Sequence, residues 1–175
     1  NGGLYVTDCM PKSGRGCRFP DTGELILNEI LIDGRPDATE EFFELHNRTG
    51  DRINLAGLSV LSNRGSELVT RVHFRQGCIE KYGYVAVFAD PERWIWNPNP
   101  INETEFSVKR FGFPNTHDFT FVLRTPTGQE IDRVFGPRRL IREGESLRRI
   151  FDGLADRLVR HRYRTKLSKS PGFAP

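Results

Sequence analysis

The sequence predicts an all-β protein, an antiparallel sandwich or barrel, on three observations. Runs of alternating apolar and polar residues recur roughly every eight to twelve residues, separated by turn residues, as in all-β domains. The composition, with 13 Phe and 17 Gly but one Met, favours strands and turns over helices. The 175 residues suffice for one domain with its own core, and no apolar run approaches the ~18–20 residues that span a bilayer.

The first predicted strand covers residues 23–32, "GELILNEILI". A loop that contains Asp33, Gly34 and Pro36 would end it. Strict alternation assigns the side chains of this strand to two faces. One face would carry Leu25, Leu27 and Glu29, and the other Ile26, Asn28 and Ile30.

The stretch 39–60, "TEEFFELHNRTGDRINLAGLSV", predicts a hairpin. Residues 41–47 alternate, 47–52 form a polar turn, and 52–60 form a second strand that Gly57 breaks or bulges. The core side of this hairpin would carry Phe43, Leu45, Ile53 and Leu55.

The C-terminal half continues the strand pattern. Residues 119–135 predict a hairpin around "TPTG". Residues 147–158 also show helical spacing, but Asp152 and Gly153 interrupt it and favour two strands with a turn between them. The remaining predicted strands are 67–74, 84–89, 145–151 and 158–167.

Five segments, in this order, resemble a known family: "GELILNEI", "EEFFELHNRTGDRINLAGLSV", "YGYVAVF", "GESLRR" and "SPGFAP". They are similar to the lamin tail domain, and Glu41–Val60 is the most specific part. Leu58 departs from the family pattern, which usually has Trp there. The resemblance covers most of 23–175, so it divides the chain into an N-terminal arm, 1–22, and a lamin-tail-like domain that carries an insert, 90–118.

The resemblance implies an immunoglobulin-like β-sandwich with no catalytic residues and no cofactor. The chain has no heptads of the rod to which nuclear lamins join this domain, so it resembles the stand-alone bacterial members. Those members tend to occur in secreted or surface proteins, which implies an extracellular or cell-envelope location. We therefore expect a non-enzymatic binding or scaffold module, or alternatively an accessory domain of an extracellular hydrolase.

Three cysteines raise the question of a disulfide. Cys9 and Cys17 bracket a loop with Pro and Gly that can close on itself, and a bridge there would fit an oxidising compartment. The alternative is two free thiols in a loose arm. Cys78 would be a small buried hydrophobic residue.

Glu44 is the carboxylate that first suggests catalysis. A general acid or base needs a second group at bonding distance and a pocket. Since the sequence indicates no nucleophile or metal beside it, we interpret Glu44 as structural, either on the outer sheet face or bonded to backbone N–H groups of a neighbouring loop. Asn47 and Gly57 are structural candidates in the same motif.

A dense group of acids precedes and begins the second strand. Carboxylate oxygens at this density are the ligands that Ca²⁺ prefers, although the spacing matches no EF-hand and acids are common in turns. The candidate calcium ligands are Asp33, Asp37, Glu40 and Glu41.

The last predicted strand is basic, and the charge of the chain is unevenly spread. The chain's net charge of +3 combines a basic segment, 138–169, with a more acidic remainder. One face of the strand would carry four cations, which suits a nucleic acid or another polyanion. The alternative is a solvated face or a protected edge strand. The four cations are Arg160, Arg162, Arg164 and Lys166.

The insert 90–118 is rich in Pro, Asn and aromatic residues, and long loops of this kind are often functional. Trp94 and Trp96 indicate a contact surface for protein or glycan, or a cap on one end of the sandwich. Asn47 and Asn102 begin sequons for N-glycosylation. The sequence does not specify the oligomeric state.

Overall fold

A computed structural model describes residues 16–33, 41–74, 77–89, 105–107, 112–113, 115–151 and 156–161. Within these residues the chain forms strands and one short 3₁₀ helix, Arg138–Leu140, but no α-helix. The strands are β1 (Leu25–Leu31), β2 (Phe42–Asn47), β3 (Ile53–Asn54), β4 (Ser59–Arg64), β5 (Glu67–His73), β6 (Cys78–Ile79), β7 (Tyr84–Phe88), β8 (Glu105–Ser107), β9 (Phe119–Arg124), β10 (Glu130–Gly136), β11 (Ser146–Phe151) and β12 (Asp156–His161).

Two main sheets form the sandwich. The larger sheet has the strand order β12-β11-β1-β2-β7-β8, the smaller has β10-β9-β4-β5, and β3 pairs with β6. Neighbouring strands run antiparallel, except that β7 and β8 run parallel. Buried side chains of both sheets, among them Leu25, Phe43 and Phe121, form one apolar core. The predicted all-β class and the antiparallel sandwich are confirmed, and no helix among the described residues is long and apolar enough to cross a membrane.

The stretch 39–60 connects the two sheets. Its four predicted core residues are fully buried. The predicted hairpin is wrong, because the strands of this stretch do not pair with each other. Strand β2 has β1 on one side and β7 on the other, while β3 pairs with β6 and β4 lies in the smaller sheet. Since both edges of β2 are occupied, the chain after Asn47 has no position beside it and crosses to the opposite layer.

A β-bulge at Asn28 corrects the predicted faces of the first strand. The register between β1 and β2 shifts between Leu27 and Glu29. The extra residue reverses the alternation after it, so Ile30 joins the core while Glu29 lies opposite Glu44 on the outer face. Strict alternation had placed these two residues the other way round.

The disulfide joins Cys17 to Cys78, with their Cα atoms 6.2 Å apart. The predicted Cys9–Cys17 bridge is therefore wrong, and Cys78, expected to be only a small buried hydrophobic residue, is the disulfide partner. Cys9 lies outside the described residues. Backbone pairing explains the choice of partner. Arg18 forms a parallel bridge with Ile53 of β3, and β3 pairs with β6, which contains Cys78, so Cys17 is brought to β6.

The C-terminal strands β11 and β12 form an antiparallel pair, in which Leu147 lies opposite Arg160 and Phe151 opposite Asp156. Two strands, rather than the helix that the apolar spacing also allowed, are thus confirmed. Gly153 lies between them, outside the described residues.

Candidate functional site: the base of the insert

Glu41 forms hydrogen bonds with the residue before the insert and with a residue inside it. It directly precedes β2, and its carbonyl oxygen accepts a hydrogen bond of 2.8 Å from the N–H of Ala89, the residue before the insert. Its carboxylate Oε2 accepts one of 2.8 Å from the N–H of Phe113, near the other end. Glu41 therefore bonds with its main chain to the residue before the insert and with its side chain to Phe113 within it, while Glu105–Ser107 of the insert forms β8 beside β7.

The returning end of the insert is packed into the sandwich. The ring of Phe113 is buried and meets Phe121 of β9 edge to face, with 4.7 Å between ring centroids. The Nδ2 of Asn115 donates to Asp33 Oδ1 at 3.2 Å. The carbonyl of Asp118 accepts a bond of 2.8 Å from Asn63 Nδ2. Apolar packing and side-chain hydrogen bonds thus anchor this end to the smaller sheet and to Asp33, which follows β1.

The carboxyl of Glu41 lies in a largely desolvated position, since only 3% of the residue is exposed. Burial raises its pKa to about 7, against the lowering effect of the Phe113 N–H; Asp33 raises the pKa further and the Arg71 guanidinium lowers it. Arg71 belongs to β5 of the smaller sheet, where its Nε donates to Ser62 at 2.7 Å. The base of the insert is therefore an electrostatic contact between the two sheets.

A second polar group occupies the outer face of the larger sheet. Glu44 is fully buried, and its Oε1 accepts a hydrogen bond of 2.7 Å from Asn28 Nδ2. The rings of His46 and Tyr84 stack, 4.2 Å apart and within 8° of parallel. Burial lowers the pKa of His46 to about 4, with Arg48 adding to the effect, and burial raises that of Tyr84.

The partner of Glu44 is thus a side chain on the neighbouring strand. Glu44 lies on the outer face of the larger sheet, one of the two positions that the sequence predicts, and its carboxylate is buried there and bonded to the side chain of the bulge residue Asn28. Neighbouring Glu29 lies directly opposite it. Within the described ranges, no group of three or more His, Cys, Asp or Glu residues is arranged to hold a metal ion.

Asn47 closes the turn after β2. Its Oδ1 accepts bonds from the N–H and hydroxyl of Thr49, and its Nδ2 donates to the carbonyls of Asp51 and Glu80. Because the residue is fully buried and both Nδ2 protons are used, this sequon is not a glycosylation site in the folded protein. Gly57 has a φ of +81°, and a Cβ there would lie 2.5 Å from Pro126, so this turn requires glycine.

The structure brings together only part of the predicted site residues. Asp33 and Glu41 lie at the base of the insert, whereas Asp37 and Glu40 fall outside the described residues. Arg160 is in β12. The other predicted binding residues, Trp94, Trp96, Arg162, Arg164, Lys166 and the second sequon residue Asn102, also fall outside them.

Sequence reasoning missed a buried ion pair between the sheets. Arg149 of β11 donates to Asp132 of β10 at 3.0 Å, and the two side chains are 6% and 9% exposed. Arg149 also donates to the carbonyl of Arg133, and Asp132 accepts the N–H of Leu27 at the bulge. The alternating pattern could have revealed this buried arginine, because it places Arg149 on the core-facing side of β11 together with Leu147.

The comparison with protein families shows which family of β-sandwich domains the chain belongs to. A family model described as Lamin Tail Domain matches residues 19–136, which include β1 to β10. The chain belongs to the lamin tail domain family. A lamin tail domain is a non-catalytic, immunoglobulin-like binding or scaffold module. No curated protein matches the chain.

Proposed function

We propose that this lamin tail domain is a non-catalytic binding module of a secreted or cell-envelope protein of the stand-alone bacterial type, and that it contacts protein or glycan through the insert 90–118. The observation that supports the contact surface is the base of the insert. Glu41 bonds to Ala89, directly before the insert, and to Phe113 within it, the insert residues Glu105–Ser107 pair with β7, and the ring of Phe113 lies in the core. A long loop on a rigid sandwich is a common place for binding residues.

The aromatic content and the disulfide support the remaining parts of this proposal. Trp94 and Trp96 lie in the insert, and tryptophan is enriched among the residues that dominate binding energy. The Cys17–Cys78 bridge fits an oxidising compartment, because disulfides persist outside the reducing cytosol.

The test is binding by the whole chain and by a Trp94→Ala/Trp96→Ala variant. Crosslinking to the chain would first identify candidate cell-surface proteins. These proteins and a panel of purified glycans would then each be titrated against both forms of the chain by calorimetry. We expect the double substitution to weaken binding on the order of tenfold or more, as for central aromatic contacts. Phe135→Ala is the matched control, because Phe135 is an aromatic residue of β10 that is 64% exposed.

Two outcomes would contradict the proposal. Equal affinities of the double variant and the native chain would remove the insert as the contact surface. Binding to heparin or DNA at low salt that disappears at high salt, and that the double substitution leaves unchanged, would instead favour the polyanion alternative at Arg160, Arg162, Arg164 and Lys166.

A further inference from the structure

We propose that the outer face of the smaller sheet carries a binding site for an oxyanion group, a carboxylate or a sulfate, formed by Ser59, His73 and Arg124. These residues belong to β4, β5 and β9, which the structure describes in full. The site does not include the insert, so it is separate from the contact surface of the proposed function.

Strand register places the three side chains in one row. Ser59 of β4 lies directly opposite His73 of β5 on one side and Arg124 of β9 on the other. Alternate residues of a strand point to opposite faces, so the three share the outer face, where directly opposite side chains lie close enough to bind one group. The residues that flank them in sequence belong to the apolar core: Leu58, Val60, Val72, Phe74 and Leu123.

Among the described residues, the guanidinium of Arg124 has no hydrogen-bonded counter-charge. Glu130 lies opposite Arg124 on β10, but its two carboxylate oxygens accept bonds of 2.9 and 2.6 Å from Arg133. The Nε of Arg124 is buried without a hydrogen-bond partner, which is costly for a donor. An anion on the guanidinium would supply the missing charge, and the planar fork of arginine fits two oxygens of a carboxylate or sulfate.

The environment beside Arg124 strengthens such a contact. Leu61 and Val122 are the next opposite pair on this face after Ser59 and Arg124, and both are buried. Apolar neighbours lower the local dielectric constant, so a hydrogen bond between the guanidinium and an anion is stronger there than in water.

Ser59 and His73 supply a further donor. The Oγ of Ser59 and the Nδ1 of His73 form a hydrogen bond of 2.9 Å, and the tautomer of the ring decides which atom donates. When Nδ1 carries the proton and donates to Ser59, the hydroxyl proton of Ser59 is free to bond an anion. Anion binding therefore favours the Nδ1–H form, and the His73 ring reports on the occupancy of the site.

Nuclear magnetic resonance of the whole chain tests the site, with methyl sulfate and acetate titrated separately at fixed pH and ionic strength. We expect saturable shifts of the Ser59 and Arg124 amides, with a dissociation constant on the order of 1 mM. The ¹⁵N shift of His73 Nδ1 should move toward that of a protonated nitrogen. Binding of one anion alone would identify the group that the site accepts, and potassium chloride should produce neither change.

Three variants separate the specific contacts from general attraction of anions to a basic chain. Arg124→Gln should weaken binding on the order of tenfold or more, because it removes the charged donor. Ser59→Ala should weaken binding less and abolish the response of the His73 ring. Arg64→Gln is the matched control, because Arg64 is an exposed arginine at the other end of β4, and it should leave the affinity unchanged.

The assignment is overturned if chloride reproduces the shifts, or if Arg124→Gln loses no more affinity than Arg64→Gln. A ¹⁵N shift of His73 that stays constant while the anion saturates the chain would equally remove Ser59 and His73 from the site. Because the titration uses small anions and residues outside the insert, its failure is distinct from failure of the proposed function, which the tryptophan substitutions test.

Discussion

At the scale of single residues, two buried carboxylates each bond to a side chain of another strand. Glu44 meets Asn28 on the outer face, and Asp132 meets Arg149 between the sheets. Isolated charges are expensive to bury, so these pairs are tolerated because hydrogen bonds satisfy them.

Replacing Asp132 by Ala should lower the free energy of unfolding by about 3–5 kcal/mol, because it leaves Arg149 buried without its counter-charge. Urea denaturation monitored by circular dichroism measures this. Glu130→Ala is the control, since the Glu130–Arg133 pair lies on the surface with 39% and 44% of its side chains exposed. It should change stability by about 0–1 kcal/mol. Equal effects of the two substitutions would mean that the buried pair between the sheets contributes no more to stability than the surface pair.

At the scale of elements, the N-terminal segment before β1 is joined to the sandwich. Arg18 donates to the Glu24 carboxylate at 2.6 and 2.7 Å, and its backbone pairs with that of Arg52 and Asn54. The disulfide from Cys17 to Cys78 closes a loop with a sequence separation of 61 residues. This loop contains β1 to β5, so the bridge restricts a large part of the unfolded chain.

Replacing Cys17 and Cys78 together by Ser should therefore destabilise the domain by about 4 kcal/mol, as the loop-closure entropy of the unfolded chain predicts. Thermal unfolding of the double variant, compared with the native chain under oxidising conditions, measures the loss. Cys9→Ser should leave both the melting temperature and the Cys17–Cys78 peptide in a non-reducing digest unchanged. A Cys9–Cys17 peptide in that digest would contradict the observed pairing.

At the scale of the whole molecule, two buried groups give stability opposite dependences on pH. Burial raises the pKa of Glu41 from 4.5 to about 7, so its contribution is fully present below pH 4.5 and is lost as pH rises through 7. Burial lowers the pKa of His46 from 6.5 to about 4, so its contribution is present above pH 6.5 and is lost as pH falls through 4. Between pH 4.5 and 6.5 the two slopes oppose each other.

We expect single substitutions to expose these slopes. Each unit of pKa change corresponds to about 1.4 kcal/mol. Relative to the native chain, the free energy of unfolding of Glu41→Gln should therefore rise by about 3 kcal/mol as pH rises from 4.5 to 7.5. That of His46→Gln should rise, relative to the native chain, by about 2–3 kcal/mol as pH falls from 7 to 4.5. Urea denaturation across this range measures both differences. If the difference in free energy of unfolding between a variant and the native chain does not vary with pH, the replaced group has the same pKa in the folded and unfolded states.

Local patterns predicted much of the fold. Alternation identified β2 and its core residues Phe43 and Leu45, and turn residues identified the hairpin of β9 and β10. These features depend on neighbours in sequence, which alternation reports directly. The base of the insert could be predicted only in part: the insert was visible, and Glu41 was noticed, but as a calcium ligand.

The sequence by itself determined the all-β class, most strands and the family, because apolar periodicity and the motif around Glu41–Val60 are local properties. Only the tertiary structure decided which cysteine bonds to Cys17, that the chain crosses between sheets after Asn47, and that Glu41 bonds to Ala89 and to Phe113 of the insert. Each of these depends on groups distant in sequence that strand pairing brings together, and an added bulge residue such as Asn28 is enough to reverse a face.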